Sequence, residues 1–145
     1  MQAANHALVM RYYQEVINQR DLRVLADLLG TPANGAKPDF FNETRDICAH
    51  FAQAFPDYTV NVSQWIVSDQ HVVARWQAQG TQHGPFMGQP ATHRRIFTSG
   101  IDIFTLANGK IIDIWQEMNM LGLLQQLGWM PALEQPLEDA KGPPP

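Results

Sequence analysis

The chain has 145 residues, 45% of them hydrophobic and 17% charged, with a formal net charge of -4. That length and balance suit one globular core and exclude a disordered chain. Arg and Lys are scattered except for the pair Arg94-Arg95, so there is no basic stripe to neutralise a phosphate backbone, and nucleic acid is not an expected partner.

In chain order, Leu8, Tyr12 and Val16, with Ala4, Val9 and Tyr13 on adjoining positions, recur at helical spacing and predict an amphipathic helix ending near Asn18. Asp21 can cap a shorter helix whose Leu22, Leu25, Leu28 and Leu29 form an apolar stripe, stopped by Gly30 and Pro32. Gly30 to Pro38 reads as a loop. Asn42 or Thr44 can open a third helix carrying Ile47, Phe51 and Ala54, and Pro56 ends it. The period then changes to two. Tyr58 to Val67, Val72 to Thr81, Arg95 to Thr105 and Lys110 to Met118 read as strands, with turns at Asp69-Gln70 and at Asn108-Gly109, a strong hairpin signal. Leu121 to Leu127 is a short helix closed by Gly128. Helices followed by strands argue for an α+β domain over residues 1–130, and residues 131–145 are expected to form a flexible Pro-rich tail with little to bury.

No segment approaches the roughly 20 apolar residues that span a bilayer, and the start lacks the pattern of an export signal. With a single cysteine, Cys48, inside an apolar helical pattern, a soluble cytoplasmic protein without membrane contact is expected.

The stretch from Ala54 to Gly128 resembles the body of a SnoaL-like polyketide cyclase. The parts that carry the likeness are Ala54-Phe55-Pro56-Asp57, the Arg75-Trp76 strand leading to Gly80-Thr81, the hairpin at Gly109-Lys110, Trp115, and the closing Gln126-Leu127-Gly128. With the N-terminal helices the resemblance covers nearly the whole chain. It implies a nuclear-transport-factor-like (cystatin-like α+β roll) fold, shared with ketosteroid isomerase and scytalone dehydratase: a cone in which a curved antiparallel sheet wraps around the N-terminal helices and a pocket. It also implies cofactor-free aldol closure of an aromatic polyketide ester by an acid/base aspartate assisted by a histidine. The aspartate position falls on Asn119 and the histidine position on Thr105. An amide cannot exchange a proton near neutral pH, so this chain departs from the family mechanism at that point. The histidine of the Gly-Thr-His-x-Gly motif is also displaced, to His83 in Gly80-Thr81-Gln82-His83-Gly84.

Two readings of the last strand stay open. Strict alternation groups Asp113, Trp115, Glu117 and Asn119 on one face and Ile112, Ile114 and Met118 on the other. Plain amphipathicity turns the aliphatic face inward, whereas the resemblance turns Trp115 and Asn119 toward the pocket. On the second reading Glu117 is the nearest replacement for the lost acid, and Trp115 is a flat wall for a planar ligand. On the first, Glu117 is a solvated strand residue.

Arg75 can pair with a substrate carboxylate, with Glu117, or across an interface. His83 is a candidate base beside the loop Gly84 to Gly88, which carries Met87. Tyr13, Phe41, Phe55, Met87, Ile103 and Thr105 are candidate pocket walls, though aromatics at helical spacing also read as plain core. His83 and His93 flank the Gly84 to Gly88 loop, His6, His50 and His71 are scattered across different elements, and no spacing suggests a metal site.

The function expected is a cofactor-free cyclase, isomerase or lyase moving a proton on a small apolar or aromatic, polyketide-like carbonyl compound. Glu117 or His83 would carry the proton and Asn119 would hold an enolate oxygen. The alternative is a non-catalytic ligand-binding or scaffold module. A homodimer through the sheet is expected.

Overall fold

The computed structural model describes residues 1–32, 35 and 37–131. Helix α1 (Gln2–Arg11) runs directly into a π-helical stretch, Tyr12–Asn18. Neighbours on a regular α-helix point about 100° apart, yet Tyr12 and Tyr13 are both buried. The π stretch, a form that recurs at functional sites, is where these two phenols enter the core.

Asp21 caps a single 3-10 turn, Leu22–Val24, by accepting from the Arg23 amide, and α2 (Leu25–Leu28) follows with Leu25 and Leu28 buried. Leu29 then leaves the helix to bridge Ile111 in parallel. Helix α3 covers Phe40–Ala54. It begins ahead of the Asn42 or Thr44 expected as its cap, with Asp39 at the N-cap position and Phe40 buried in the first turn. The expected loop of residues 30–38 is only partly within the described residues, and the tail of residues 131–145 lies outside them except for Pro131.

Strands β1 (Thr59–Val67), β2 (His71–Thr81), β3 (Arg95–Ala107) and β4 (Lys110–Met118) form one antiparallel sheet in sequence order. The Asn108-Gly109 turn has both residues at positive φ, as a two-residue hairpin of this kind demands. Helix α4 (Met120–Gln126) follows β4 directly, and Gly128 ends that segment at a φ of 81°.

The sheet has one covered face. Val72, Ala74, Trp76 and Ala78 of β2, with Ile96, Phe104 and Leu106 of β3, pack against Val9, Tyr12, Tyr13, Val16, Leu25 and Leu28 from the helices. An aromatic cluster of Phe51, Phe55, Tyr58 and Phe86 fills the space under α3. This is the α+β roll expected from the sequence. Among the described residues no helix is long and apolar enough to cross a membrane.

Two irregularities decide which side chains face inward. In β4 the pairing steps from Leu106–Ile111 to Thr105–Asp113, so Ile112 is an extra residue. A bulge of this kind bends its strand and resets the alternation. In β3, Gly100 lies opposite Trp76, and a Cβ there would stand 2.4 Å from Trp76 Cζ2 and 2.7 Å from the Glu117 carbonyl oxygen. The missing side chain gives the indole its place across the inner face. Gly100→Ala is therefore expected to overpack the core and cost about 1–3 kcal/mol, readable as a lower urea midpoint with an unchanged m-value.

Candidate functional site

Asp102 is the one carboxylate among the described residues that the fold removes from water, at 1% exposure. It sits on the inner face of β3, opposite Ala74 of β2 and Gln116 of β4. Tyr13, supplied by the π-helical stretch, donates its hydroxyl to Oδ2 at 2.5 Å. The other oxygen, Oδ1, has no hydrogen-bond partner among the described residues, and neither has the buried Trp76 Nε1. Trp76 and the Gln116 amide face the carboxylate closely enough to favour its charged form, but neither completes a hydrogen bond to Oδ1.

Burial dominates the electrostatics of this cluster. It pushes the Asp102 carboxyl above the ordinary carboxylate range, and the donors Tyr13, Gln116 and Trp76 oppose that shift only in part. The phenols of Tyr12, Tyr13 and Tyr58 are raised as well, by burial first and then by neighbouring negative charge that includes Asp102. They stay protonated, so Tyr13 remains a donor. Cys48 Sγ lies 3.7 Å from Tyr12 Oη, and burial raises its thiol too. A neutral thiol in that setting is a wall of the site rather than a nucleophile.

Two cavities lie along α3. One of about 110 Å³ is lined by Tyr12, Thr44, Ile47, Cys48, Ile114 and Gln116. The other, of about 310 Å³, is bordered by Ile47, His50, Phe51, Phe86, Met87 and Met120. They share Ile47 as a lining residue, and Gln116, the cross-strand neighbour of Asp102, lines the smaller one, whereas Asp102 itself lines neither. The chemistry available is that of a buried carboxyl with a phenol fixed on one oxygen and, among the described residues, no hydrogen-bond partner on the second.

Of the residues expected from sequence, Arg75, Glu117 and Asn119 line one separate cavity of about 350 Å³, together with Trp76 and Gly100. Tyr13 holds Asp102, Met87 borders the larger cavity along α3, and Phe55 is fully buried in the aromatic cluster. Phe41 is partly exposed on the first turn of α3. The orientation that the resemblance gave Trp115 and Asn119 is corrected here. Trp115 is 60% exposed and its indole N–H donates to Glu117 at 3.3 Å, on the face of the sheet away from the helices. Arg75, Ile103 and Thr105 share that outer face. Asn119 is committed to the backbone, its side-chain oxygen accepting from the Gly122 amide at 2.9 Å as the N-cap of α4. With the bulge at Ile112, it is Ile114, Gln116 and Met118 that turn inward, so the plain amphipathic reading of β4 is the one the fold follows. His83 is exposed beside the β2–β3 connection, its ring against His93.

Sequence reasoning missed Asp102, Trp76 and Gln116. The available signal was an acid in register with Ile96, Thr98, Phe104 and Leu106 at period two. Ile101 and Ile103 make the opposite face of β3 equally apolar, which hid the direction of the alternation.

A model of the SnoaL-like polyketide cyclase family matches residues 7–127. Among solved structures, TsrD from Streptomyces laurentii superposes with a TM-score of 0.79 at 28% identity, over 90% of this chain and 98% of that one. AclR from Streptomyces galilaeus, a candidate hydroxylase, superposes with a TM-score of 0.81 at 22% identity, over 97% and 95%. IdmH from Streptomyces antibioticus, a candidate polyketide cyclase, gives 0.69 at 22%, over 85% and 97%. The two at 22% share the fold. No functionally curated protein matches the sequence.

The raised Asp102 carboxyl has a signed consequence for stability. Between the ordinary carboxylate value and its own higher one, the native state holds a proton that the unfolded chain has released. Asp102 therefore makes stability fall as pH rises through that window. Asp102→Asn keeps an acceptor for Tyr13 and removes the buried charge. Its melting temperature should exceed that of wild type at neutral pH, by roughly 3–5 °C for each ~1 kcal/mol gained, and the gap should close below about pH 4, the ordinary value for Asp. A gap that widens toward acid would contradict the assignment.

Proposed function

We propose that this chain, which belongs to the SnoaL-like polyketide cyclase family, is a cofactor-free enzyme that moves a proton on a small apolar carbonyl compound, with Asp102 as the acid/base group. The observation that carries this reading is a buried carboxyl held by Tyr13 through one oxygen, with no hydrogen-bond partner for the other among the described residues, whose cross-strand neighbour Gln116 lines a cavity along α3. A buried carboxylate of raised pKa suits proton abstraction from a carbon next to a carbonyl, because it is a stronger base than an ordinary carboxylate. In a cyclisation the carboxylate takes that proton, the resulting enolate carbon attacks a second carbonyl of the same molecule, and the proton is returned to the new alkoxide. Tyr13 orients Asp102 through Oδ2 and leaves Oδ1 to face the substrate. Trp76 Nε1, without a partner in the apo site, is a donor available to an enolate oxygen. Ile47, Phe86 and Met87, which border the larger cavity along α3, suit a flat, largely apolar substrate.

In this reading Asn119 has a structural role as a helix cap, and neither Glu117 nor His83 is the proton carrier. The buried, unpaired Cys48 is in keeping with a cytoplasmic setting.

The outer face of the sheet supports a homodimer. Ile66, Val73, Ile103 and Trp115 pair across all four strands as an apolar row, and the adjacent row is Gln64, Arg75, Ile101 and Glu117. Arg75 and Glu117 flank Ile101 from opposite sides. A two-fold axis running along β3 in the plane of this face would set Arg75 against the partner's Glu117, and the bulky Trp115 against the partner's smaller Val73.

Turnover of aromatic polyketide esters, followed by the absorbance of the cyclised product, tests the enzyme reading. Asp102→Asn should lower kcat about 10²–10⁴-fold with KM little changed, whereas Glu117→Gln should leave both near wild type. Retained turnover in Asp102→Asn would remove Asp102 from the chemistry. Binding of the ester with no turnover in any form of the protein would mark a non-catalytic module instead.

For the dimer, Arg75→Glu should shift sedimentation toward the monomer, and the charge swap Arg75→Glu with Glu117→Arg should restore association. A monomeric wild type at micromolar concentration would contradict it.

A further inference from the structure

His83 and His93 lie ten residues apart in sequence, at the two ends of the connection between β2 and β3, and their Nδ1 atoms are 3.3 Å apart. Two nitrogens each about 2.0–2.1 Å from a tetrahedral zinc ion stand about 3.3–3.4 Å from one another. We propose that His83 and His93 form a two-imidazole chelate for a zinc-class divalent ion, with water completing the coordination shell.

The pair is held in place before any ion arrives. The amides of His83 and Gly84 both donate to the Ala54 carbonyl, at 3.0 and 3.1 Å, which fastens the first ring to the end of α3. The His93 amide donates to the Gln82 carbonyl at 2.9 Å, and the Gln82 amide donates to the Arg94 carbonyl at 3.0 Å. The Gln82 side chain is fully buried. Its amide nitrogen donates to the Gly84 and Pro90 carbonyls, and its oxygen accepts from the Thr92 amide and hydroxyl. This one side chain therefore fixes the path of the connection from inside. His93 itself sits at a φ of 58°, a region that L residues other than Asn, Asp and His seldom adopt, and that backbone turn aims its ring back at His83. A chelate whose ligands are already in position loses little freedom on binding.

In the free protein one Nδ1–H donates to the other Nδ1. Binding requires both Nδ1 lone pairs, so that proton leaves or the ring changes tautomer and carries its hydrogen on Nε2. Both rings are exposed, which lets water meet the Nε2–H groups. The Asp57 carboxylate, held through both oxygens by the Thr81 amide and hydroxyl, borders the same end of β2 and adds negative charge near an incoming cation. No group of three or more His, Cys, Asp or Glu is poised as a metal cage among the described residues. The site is thus a two-point clamp, and the ion would tie the start of the connection to its end.

Zinc chloride titrated into the full chain by calorimetry tests this. One equivalent should bind, His83→Ala and His93→Ala should each weaken it at least tenfold, and the double variant should be no weaker than either single one. His71→Ala, on an exposed imidazole at the start of β2, should bind as wild type does. Zinc should also raise the melting temperature of wild type and leave that of the two single variants unmoved. Binding of equal strength in His83→Ala, or no uptake at millimolar zinc, would show a mutual hydrogen bond only and overturn the proposal.

Discussion

The hydrogen bond from Tyr13 to Asp102 joins the two halves of this molecule at its most apolar point. A carboxylate on the inner face of the central β3 strand is costly to hold there, because burial disfavours its charge and its second oxygen has no hydrogen-bond partner among the described residues. The bond from Tyr13 offsets part of that cost and fixes the π-helical stretch against the sheet. A core selected only for stability would place an aliphatic residue at this position, since hydrophobic replacement of buried charge is often neutral or favourable. The buried acid and its unpartnered oxygen are the features on which the proposed chemistry rests.

The rest of the interior makes room for that group. The π-helical turn lets Tyr12 and Tyr13 both point inward. Gly100 leaves space for the Trp76 indole to lie near the carboxylate, and the bulge at Ile112 turns Gln116 rather than Trp115 toward it. Each is a local departure from regular geometry, and all three converge on Asp102. Departures of this kind tend to persist where a site requires them.

The sequence made the element types and their order readable, because period 3.6 and period 2 are separated cleanly at Pro56 and the Asn-Gly hairpin is unambiguous. The plain amphipathic pattern of β4 carried its facing, Ile114 and Met118 inward, but the extra residue at Ile112 leaves no mark in composition. Asp102 was hidden for a related reason: both faces of β3 are apolar, one for the core and one for the open side of the sheet. The use of Asn119 as the cap of α4 depends on where β4 ends, which the sequence pattern does not mark. The His83–His93 approach was invisible to spacing because it arises from the buried Gln82 hub and the positive φ of His93.

The central claim is that Asp102 is a buried acid/base group whose basicity is set by burial and moderated by Tyr13. Carbon-13 NMR of the aspartate side-chain carboxyls across pH measures this directly. The Asp102 signal should titrate above the ordinary carboxylate range in wild type, and higher still in Tyr13→Phe, which removes the opposing hydrogen bond. An Asp102 that titrates at or below the ordinary range, or that ignores the loss of the Tyr13 hydroxyl, would contradict the account.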